Sequence, residues 1–228
     1  MVIEPIAYIR TEFPEKFGIP RQSSLAESLR GKILFRPQYR NPDALRGLEG
    51  FSHIWLIWEF SANRSQPEKW QPTVRPPRLG GNTHMGVFAT RSPFRPNPLG
   101  LSCVKIERVE LDSDDGPVIV VNGADLMDGT PIYDIKPYIR YADSHPQASC
   151  GYVDALQDHL LKVIIPEDCS AVVEDKTILP ALVQTLSLDP RPSYHDDPQR
   201  IYGLSFSGYN VKFKVTGPIL TVTEIQTM

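Results

Sequence analysis

The stretch LSCVKIERVELDSDDGPVIVVN, Leu101 to Asn122, decides how the chain folds. Val104 and Ile106 fall on one face between Lys105 and Glu107, the two-residue period of a half-buried strand. The pair Glu107-Arg108 breaks that period, and Val109 and Leu111 resume it one residue out of phase. One extra residue is the mark of a β-bulge, which bends a strand and tightens its twist. DSDDGP, Asp112 to Pro117, is turn chemistry, and Val118 to Asn122 returns as the hairpin partner. So much curvature in one hairpin predicts a mainly β chain, either a small antiparallel barrel or a sheet rolled on itself.

The bent strand is entered through GVFATRSPFRPNPLGLS, Gly86 to Ser102. Val87, Phe88 and Ala89 read as the end of a strand. Pro93, Pro96 and Pro98 then fix φ and remove three backbone donors within six residues. A loop stiffened in this way holds Arg91, Arg95 and Asn97 towards a ligand with little ordering entropy left to lose at binding.

On the N-terminal side, Val2 to Arg10 predicts an opening strand and Lys32 to Phe35 a second. Asn41-Pro42-Asp43 predicts a short helix through Leu45 and Leu48, capped by Asn41 or Asp43. HIWLIWEF, His53 to Phe60, is a buried strand by length and aromatic content, with Trp55 and Trp58 in the core. FPEKFGIPRQ, Phe13 to Gln22, is a loop whose tip, Pro20, Arg21 and Gln22, suits aiming a guanidinium and an amide inward. The glycines of GGNTHMG, Gly80 to Gly86, do not form a phosphate cradle, because Met85 to Ala89 continues as a strand where such a loop needs a helix.

Towards the C-terminus, DGTP, Asp128 to Pro131, is a turn, and the IYDIKPYIRYAD that follows lacks the simple alternation of a strand edge. From Tyr152 the pattern changes. Val153 to Val163 and Ile178 to Leu188 are helical windows, and Tyr209 to Val215 with Ile219 to Ile225 make a hairpin. The domain organisation predicted is a barrel over residues 1–149 and an α+β appendage over residues 150–228.

Composition narrows the function. At 41% hydrophobic and 22% charged the chain is of ordinary globular make-up, and the start MVIEPIAYIR, with Glu4, Pro5 and Arg10, has no apolar signal core, so a cytoplasmic location is expected. Cys103, Cys150 and Cys169 suit neither a disulfide scaffold nor a CxxC site, and the five histidines show no paired-ligand spacing, so no metal is expected. The net charge of −3 conceals an asymmetry. Of 24 basic residues, six lie between Lys69 and Lys105 without one Asp or Glu, leaving 18 against 27 elsewhere. A local cationic surface on an acidic body fits a limited contact with phosphates.

GVFATRSPFRPNPLGLS, DGTPIYDIKPYIRYAD, FSHIWLIWEF (Phe51 to Phe60) and PTVRPPRLGG (Pro72 to Gly81) together resemble the TsaA-like family, also called TrmO, and the likeness runs over nearly the whole chain. The resemblance implies a non-Rossmann β-barrel enzyme, dependent on S-adenosyl-L-methionine. Such an enzyme methylates N6 of threonylcarbamoyladenosine at position 37, beside the tRNA anticodon. It also implies a homodimer with each site near the subunit interface. The family's cofactor positions map onto Pro20, Arg21, Gln22, Ser61, Ala62, Arg91, Leu101, Asp128, Gly129, Thr130 and Pro131. The family pattern has a glycine two positions after Gln22, where this chain has Ser24.

Residue chemistry adds roles within that frame. Arg91 or Arg21 suits the donor's carboxylate, Asp128 its ammonium or ribose, and the backbone around Leu101 and Ser61-Ala62 the purine edge. Arg75, Arg78, Arg95 and Lys136 suit the tRNA phosphates or the threonyl carboxylate. No catalytic base is assigned; Asp134, Asp143 and a water held by Tyr138 are the candidates. A non-catalytic RNA-binding module and an S-adenosylmethionine-binding enzyme acting on a small molecule are the rival readings.

Overall fold

The computed structural model describes residues 2–63, 70–80, 82–155, 160–192 and 197–228; the side chain of Arg78 is outside this set. Eight strands come first: β1 (Ala7–Arg10), β2 (Arg30–Phe35), β3 (His53–Glu59), β4 (Thr73–Val74), β5 (Met85–Gly86), β6 (Leu99–Glu110), β7 (Val118–Asn122) and β8 (Pro131–Pro137). Six of them close an antiparallel barrel in the order β1, β2, β7, β6, β3, β8, with β8 returning to β1 through Ala7 opposite Ile132. The short β4 and β5 pair with each other outside it.

The bulge lies where the alternation fails. Ile106 pairs with Val121 and Arg108 with Val120, so Glu107 has no partner of its own on β7. The twelve-residue β6 can therefore pair with β3 along its first half and β7 along its second, which is how a short sheet turns the corner of a barrel. Ala7, Ile9, Ile33, Ile54, Leu56, Val104, Ile119 and Ile132 fill the interior. Each is an alternate residue of its strand, as a pleat with one buried face requires.

Several local expectations give way to tertiary context. The helix start at Asn41 becomes a 3-10 turn, Pro42–Leu45, with the Asn41 side chain accepting the Asp43 N–H. Val87–Ala89 is a 3-10 turn rather than a strand end. On β3 only Ile54, Leu56 and Trp58 face inward; Trp55 is half-buried against Tyr138, their rings 6.0 Å apart. IYDIKP is a strand after all, because β8 is needed to close the ring between β3 and β1.

After the barrel come α1 (Arg140–Asp143), β9 (Lys162–Ile164), α2 (Glu167–Val172), α3 (Leu179–Ser187), β10 (Tyr202–Phe206), β11 (Tyr209–Thr216) and β12 (Ile219–Thr227). The four strands form one sheet in the order β10, β11, β12, β9. The described residues of the helical window expected over Val153 to Val163 are not α-helical. Gly151–Ala155 is a 3-10 turn, residues 156–159 lie outside the described set, and Lys162–Ile164 pairs in parallel with Ile219 to Thr221. A free sheet edge outcompetes a weak helical repeat, because each ladder bond satisfies a backbone group that would otherwise be left open.

This second core reaches back into the N-terminal part of the chain. Phe13, Ala26 and Leu29 are fully buried among Leu204, Phe206, Val211 and Phe213, with Phe17 and Ile19 packed against the same cluster. Phe13 meets Phe206 edge-on with ring centroids 5.4 Å apart. The loop that links β1 to β2 is therefore held by the C-terminal sheet as well as by the barrel.

Candidate functional site

Where β3 ends and β6 begins, three loops lean over the barrel and enclose a cavity of about 460 Å3. That volume is in the range of small-molecule sites. Its walls differ in charge. Lys16, Arg21, Arg91 and Arg95 come from the loops, whereas Glu59 and Asp125 come from the strand side. Ile19, Trp58, Leu99, Leu101 and Met127 supply apolar surface between them.

The strand wall is tightly interlocked. Trp58 Nε1 donates to Ser102 Oγ at 2.9 Å, and Ser102 Oγ donates to Asp125 Oδ1 at 2.6 Å. Gly100 is required beside them, since a Cβ there would lie 2.3 to 2.7 Å from three carbons of the Trp58 indole. Burial raises the Asp125 carboxyl above its ordinary range, opposed by the Ser102 hydrogen bond and by the charge of Arg91. At the end of β3, Glu59 accepts the Tyr133 hydroxyl at 2.5 Å. The Tyr133 phenol is pushed up to about 12, first by burial and then by its bond to Glu59.

The loop wall is held by clasps. Arg91 Nη1 donates to Gln22 Oε1 and so joins the proline-rich loop to the Pro20-Arg21-Gln22 tip, while Lys16 Nζ donates to Asn63 Oδ1 and joins the same segment to Ser61 and Ala62. Arg95 Nη1 donates to the carbonyls of Thr90 and Ser92, both at 3.1 Å, which fixes the loop around its own guanidinium. Below the tip, Gly18 has φ +88°, and a Cβ there would meet Leu204 Cδ1 at 2.2 Å. Above it, Ser24 has φ +65°, a left-handed conformation that glycine adopts without strain.

Of the sequence-derived cofactor positions, Pro20, Arg21, Gln22, Ser61, Ala62, Arg91, Leu101 and Thr130 line this one cavity. Asp128, Gly129 and Pro131 are not among its lining residues. Asp128 instead accepts Arg10 Nη1 and the Thr11 N–H, each at 3.0 Å, and so secures the start of the loop. Of the basic positions, Arg95 lines the cavity, Arg75 donates from Nε to His84 Nε2 at 3.0 Å, and Lys136 pairs with Asp134 at 2.8 Å. The Arg78 side chain lies outside the described set. The candidate bases fare differently from the cavity's own acids: Asp134 bonds to Lys136, Asp143 accepts the Ile139 N–H, Tyr138 packs on Trp55, and none of the three lines the cavity.

Sequence reasoning passed over Asp125, Glu59 and Lys16. Asp125 was findable as the single acid inside the apolar run from Val118 to Met127, a place where a carboxylate needs a reason to be. Among the described residues no group of three or more His, Cys, Asp or Glu is placed to hold a metal ion, and no helix is long and apolar enough to cross a membrane.

Comparison with known proteins agrees with the geometry. The family model for the tRNA-methyltransferase O N-terminal domain matches residues 8–144, and that for the TrmO C-terminal domain matches residues 159–228. A tRNA (adenine(37)-N6)-methyltransferase of Escherichia coli (strain K12) is 40% identical over 224 residues, covering 93% of this chain and 92% of that one. A protein of the same description from Eikenella corrodens is 46% identical over 165 residues, covering 72% and 91%. The crystal structure of TrmO from Pseudomonas aeruginosa superposes with a TM-score of 0.80 at 32% identity, covering 99% of this chain and 98% of that one. With both family models matched in order and the fold shared from end to end, the chain belongs to the tRNA-methyltransferase O family.

Proposed function

We propose that this protein transfers a methyl group from S-adenosyl-L-methionine to N6 of adenosine 37 in tRNA, and that the adenosine carries a threonylcarbamoyl group. The observation that carries the reading is the convergence of the three loops, far apart in sequence, on one cavity with a cationic and an anionic wall. The donor set fits the group. Guanidiniums suit a carboxylate, acids suit an ammonium or sulfonium, and apolar surface suits a purine.

S-Adenosyl-L-methionine, when bound, supplies a methyl group already activated on sulfur, so the protein's task is alignment. Arg91 and Arg21 would hold the donor's carboxylate, and the Arg91–Gln22 clasp would keep both loops in register around it. Leu101, Ser61 and Ala62 would edge the purine, and Thr130 would close the strand side. Arg95, at the rim, would meet the threonyl carboxylate, with Arg75, Arg78 and Lys136 towards the phosphates.

Residues 1–149 form the methyltransferase domain in this reading, and residues 150–228 buttress the loop from Phe13 to Gln22. The working unit is a cytoplasmic homodimer, supported by the exposed apolar Phe88, Phe94 and Leu101 beside the cavity. The test is methyl transfer from labelled donor to tRNA with and without the threonylcarbamoyl group. Label should appear at N6 of adenosine 37 in the modified tRNA alone. Equal labelling of both tRNAs would refute the proposed acceptor, and labelling of neither would refute the function.

A further inference from the structure

Outside the barrel, the β4–β5 pair carries two aromatic rings that the cavity does not use. Trp70 stands before β4 and Phe88 just after β5, with ring centroids 6.1 Å apart and planes inclined at 33°. Neither lines the cavity, and Phe88 is 72% and Trp70 39% exposed. The Arg95 guanidinium lies 6.0 Å from the centre of the Phe88 ring, within cation–π range. Arg95 also lines the cavity and is anchored by the carbonyls of Thr90 and Ser92, so the ring pair adjoins the rim through one fixed residue. Phe94 is different: among the described residues it has no ring or cation partner. Arg75, on the same arm as the rings, is bonded to His84 and not to an acid, and from Lys69 to Lys105 the chain has no Asp or Glu.

Flat rings beside cations that no acid offsets match an unpaired, negatively charged strand, whose bases stack on the rings while its phosphates meet the cations. An apolar protein partner would cover the rings and leave the cations unmatched. The place of the rings favours one strand in particular. An adenosine whose N6 enters the cavity must leave the stack of the anticodon loop, and the base beside it then loses a stacking partner. We propose that Phe88, backed by Trp70, takes that partner's place, the two rings forming a stacking platform for the nucleotide adjacent to adenosine 37. The proposal rests on tRNA being the acceptor substrate. Because every base has a π-face, the platform holds the loop without reading its sequence, and the choice of adenosine is left to the cavity.

The experiment is filter binding of the full chain to threonylcarbamoylated tRNA over a series of salt concentrations, for wild type, Phe88→Ala and Phe88→Tyr, with donor affinity and sedimentation measured on the same samples. Phe88→Ala should bind tRNA about tenfold more weakly with donor affinity unchanged. The slope of log affinity against log salt should stay as in wild type, because a stacked ring releases no counter-ions. Phe88→Tyr, which keeps the ring, should bind as wild type does. Wild-type tRNA affinity in Phe88→Ala overturns the inference while leaving the proposed function standing. A changed salt slope also overturns it, by making the ring a prop for Arg95, and weakened binding with dissociation of subunits overturns it by giving the ring to a subunit contact. A second measure does not depend on the variant folding. Of two tRNAs, each lacking the base on one side of adenosine 37, one should bind wild type about tenfold more weakly than intact tRNA, and Phe88→Ala should not distinguish it from intact tRNA. Full wild-type affinity for both abasic tRNAs overturns the inference. A wild-type chain that binds no tRNA overturns both the inference and the proposed function.

Discussion

The strand wall and the loop wall of the cavity face each other across one ligand space, yet they hold their side chains by different means. Trp58, Gly100, Ser102 and Asp125 are interlocked behind the cavity surface, with Ser102 1% exposed and hydrogen-bonded to both Trp58 and Asp125, and the indole lying against the Gly100 backbone. Lys16, Arg21 and Gln22 hang from a loop whose anchors lie below it, in the C-terminal sheet, and whose clasps to Asn63 and to Arg91 of the proline-rich loop are exposed polar bonds. Rigid walls fix charge in place, whereas clasped loops admit a ligand and close over it. The difference teaches that stability and ligand affinity should respond separately in the two regions.

The largest effect is expected on the strand wall. Gly100→Ala drives a Cβ into an indole that cannot move without breaking its bond to Ser102, an overpacking that should cost about 3 kcal/mol, read as a lowered midpoint in thermal or denaturant unfolding. If the midpoint moves little, the wall is less interlocked than its contacts indicate. On the loop side, Gly18→Ala meets a positive φ and the tip of Leu204, for a cost of about 1–2 kcal/mol. Because the C-terminal sheet holds the Pro20-Arg21-Gln22 tip, this substitution should also weaken donor binding several-fold, although Gly18 is not in the cavity lining. Unchanged affinity would detach the sheet from the site.

A smaller effect depends on pH. Below the ordinary carboxylate value of 3.8, Asp125 is protonated in both folded and unfolded chains and contributes nothing to their difference. As pH rises, the unfolded chain ionises first and the folded state loses stability until the buried carboxyl ionises too. Asp125→Asn removes this penalty, so its stability relative to wild type should grow from acid to neutral pH in denaturant titrations. A constant difference would mean that the carboxyl is not held above its ordinary range. The smallest effect belongs to Asp128→Ala, which removes a partly exposed ion pair with Arg10 and one bond to the Thr11 N–H, about 1 kcal/mol or less by unfolding.

Asp125 and Asp128 also show how far the site could be read before folding. Asp128 belongs to a turn motif that can be recognised letter by letter, and it lies outside the cavity lining. Asp125 has no motif of its own, and its position follows from which face of the chain turns inward after β7. Ser24 is a middle case. The family pattern places glycine there, and the structure gives Ser24 the left-handed φ that glycine would take. The helix read over Val153 to Val163 failed for a related reason: leucine spacing alone cannot report that a sheet edge is open beside it.

The sequence by itself determined the bend at Glu107, the proline-stiffened loop from Gly86 to Ser102 and the C-terminal hairpin, because side-chain alternation and the φ limits of proline act over a few neighbouring residues. Only the tertiary structure decided which acid enters the cavity, which strand closes the ring, and that the second core reaches back to hold the loop between β1 and β2. Those outcomes depend on burial and pairing between segments more than a hundred residues apart, and no local pattern records which distant partner a residue will meet.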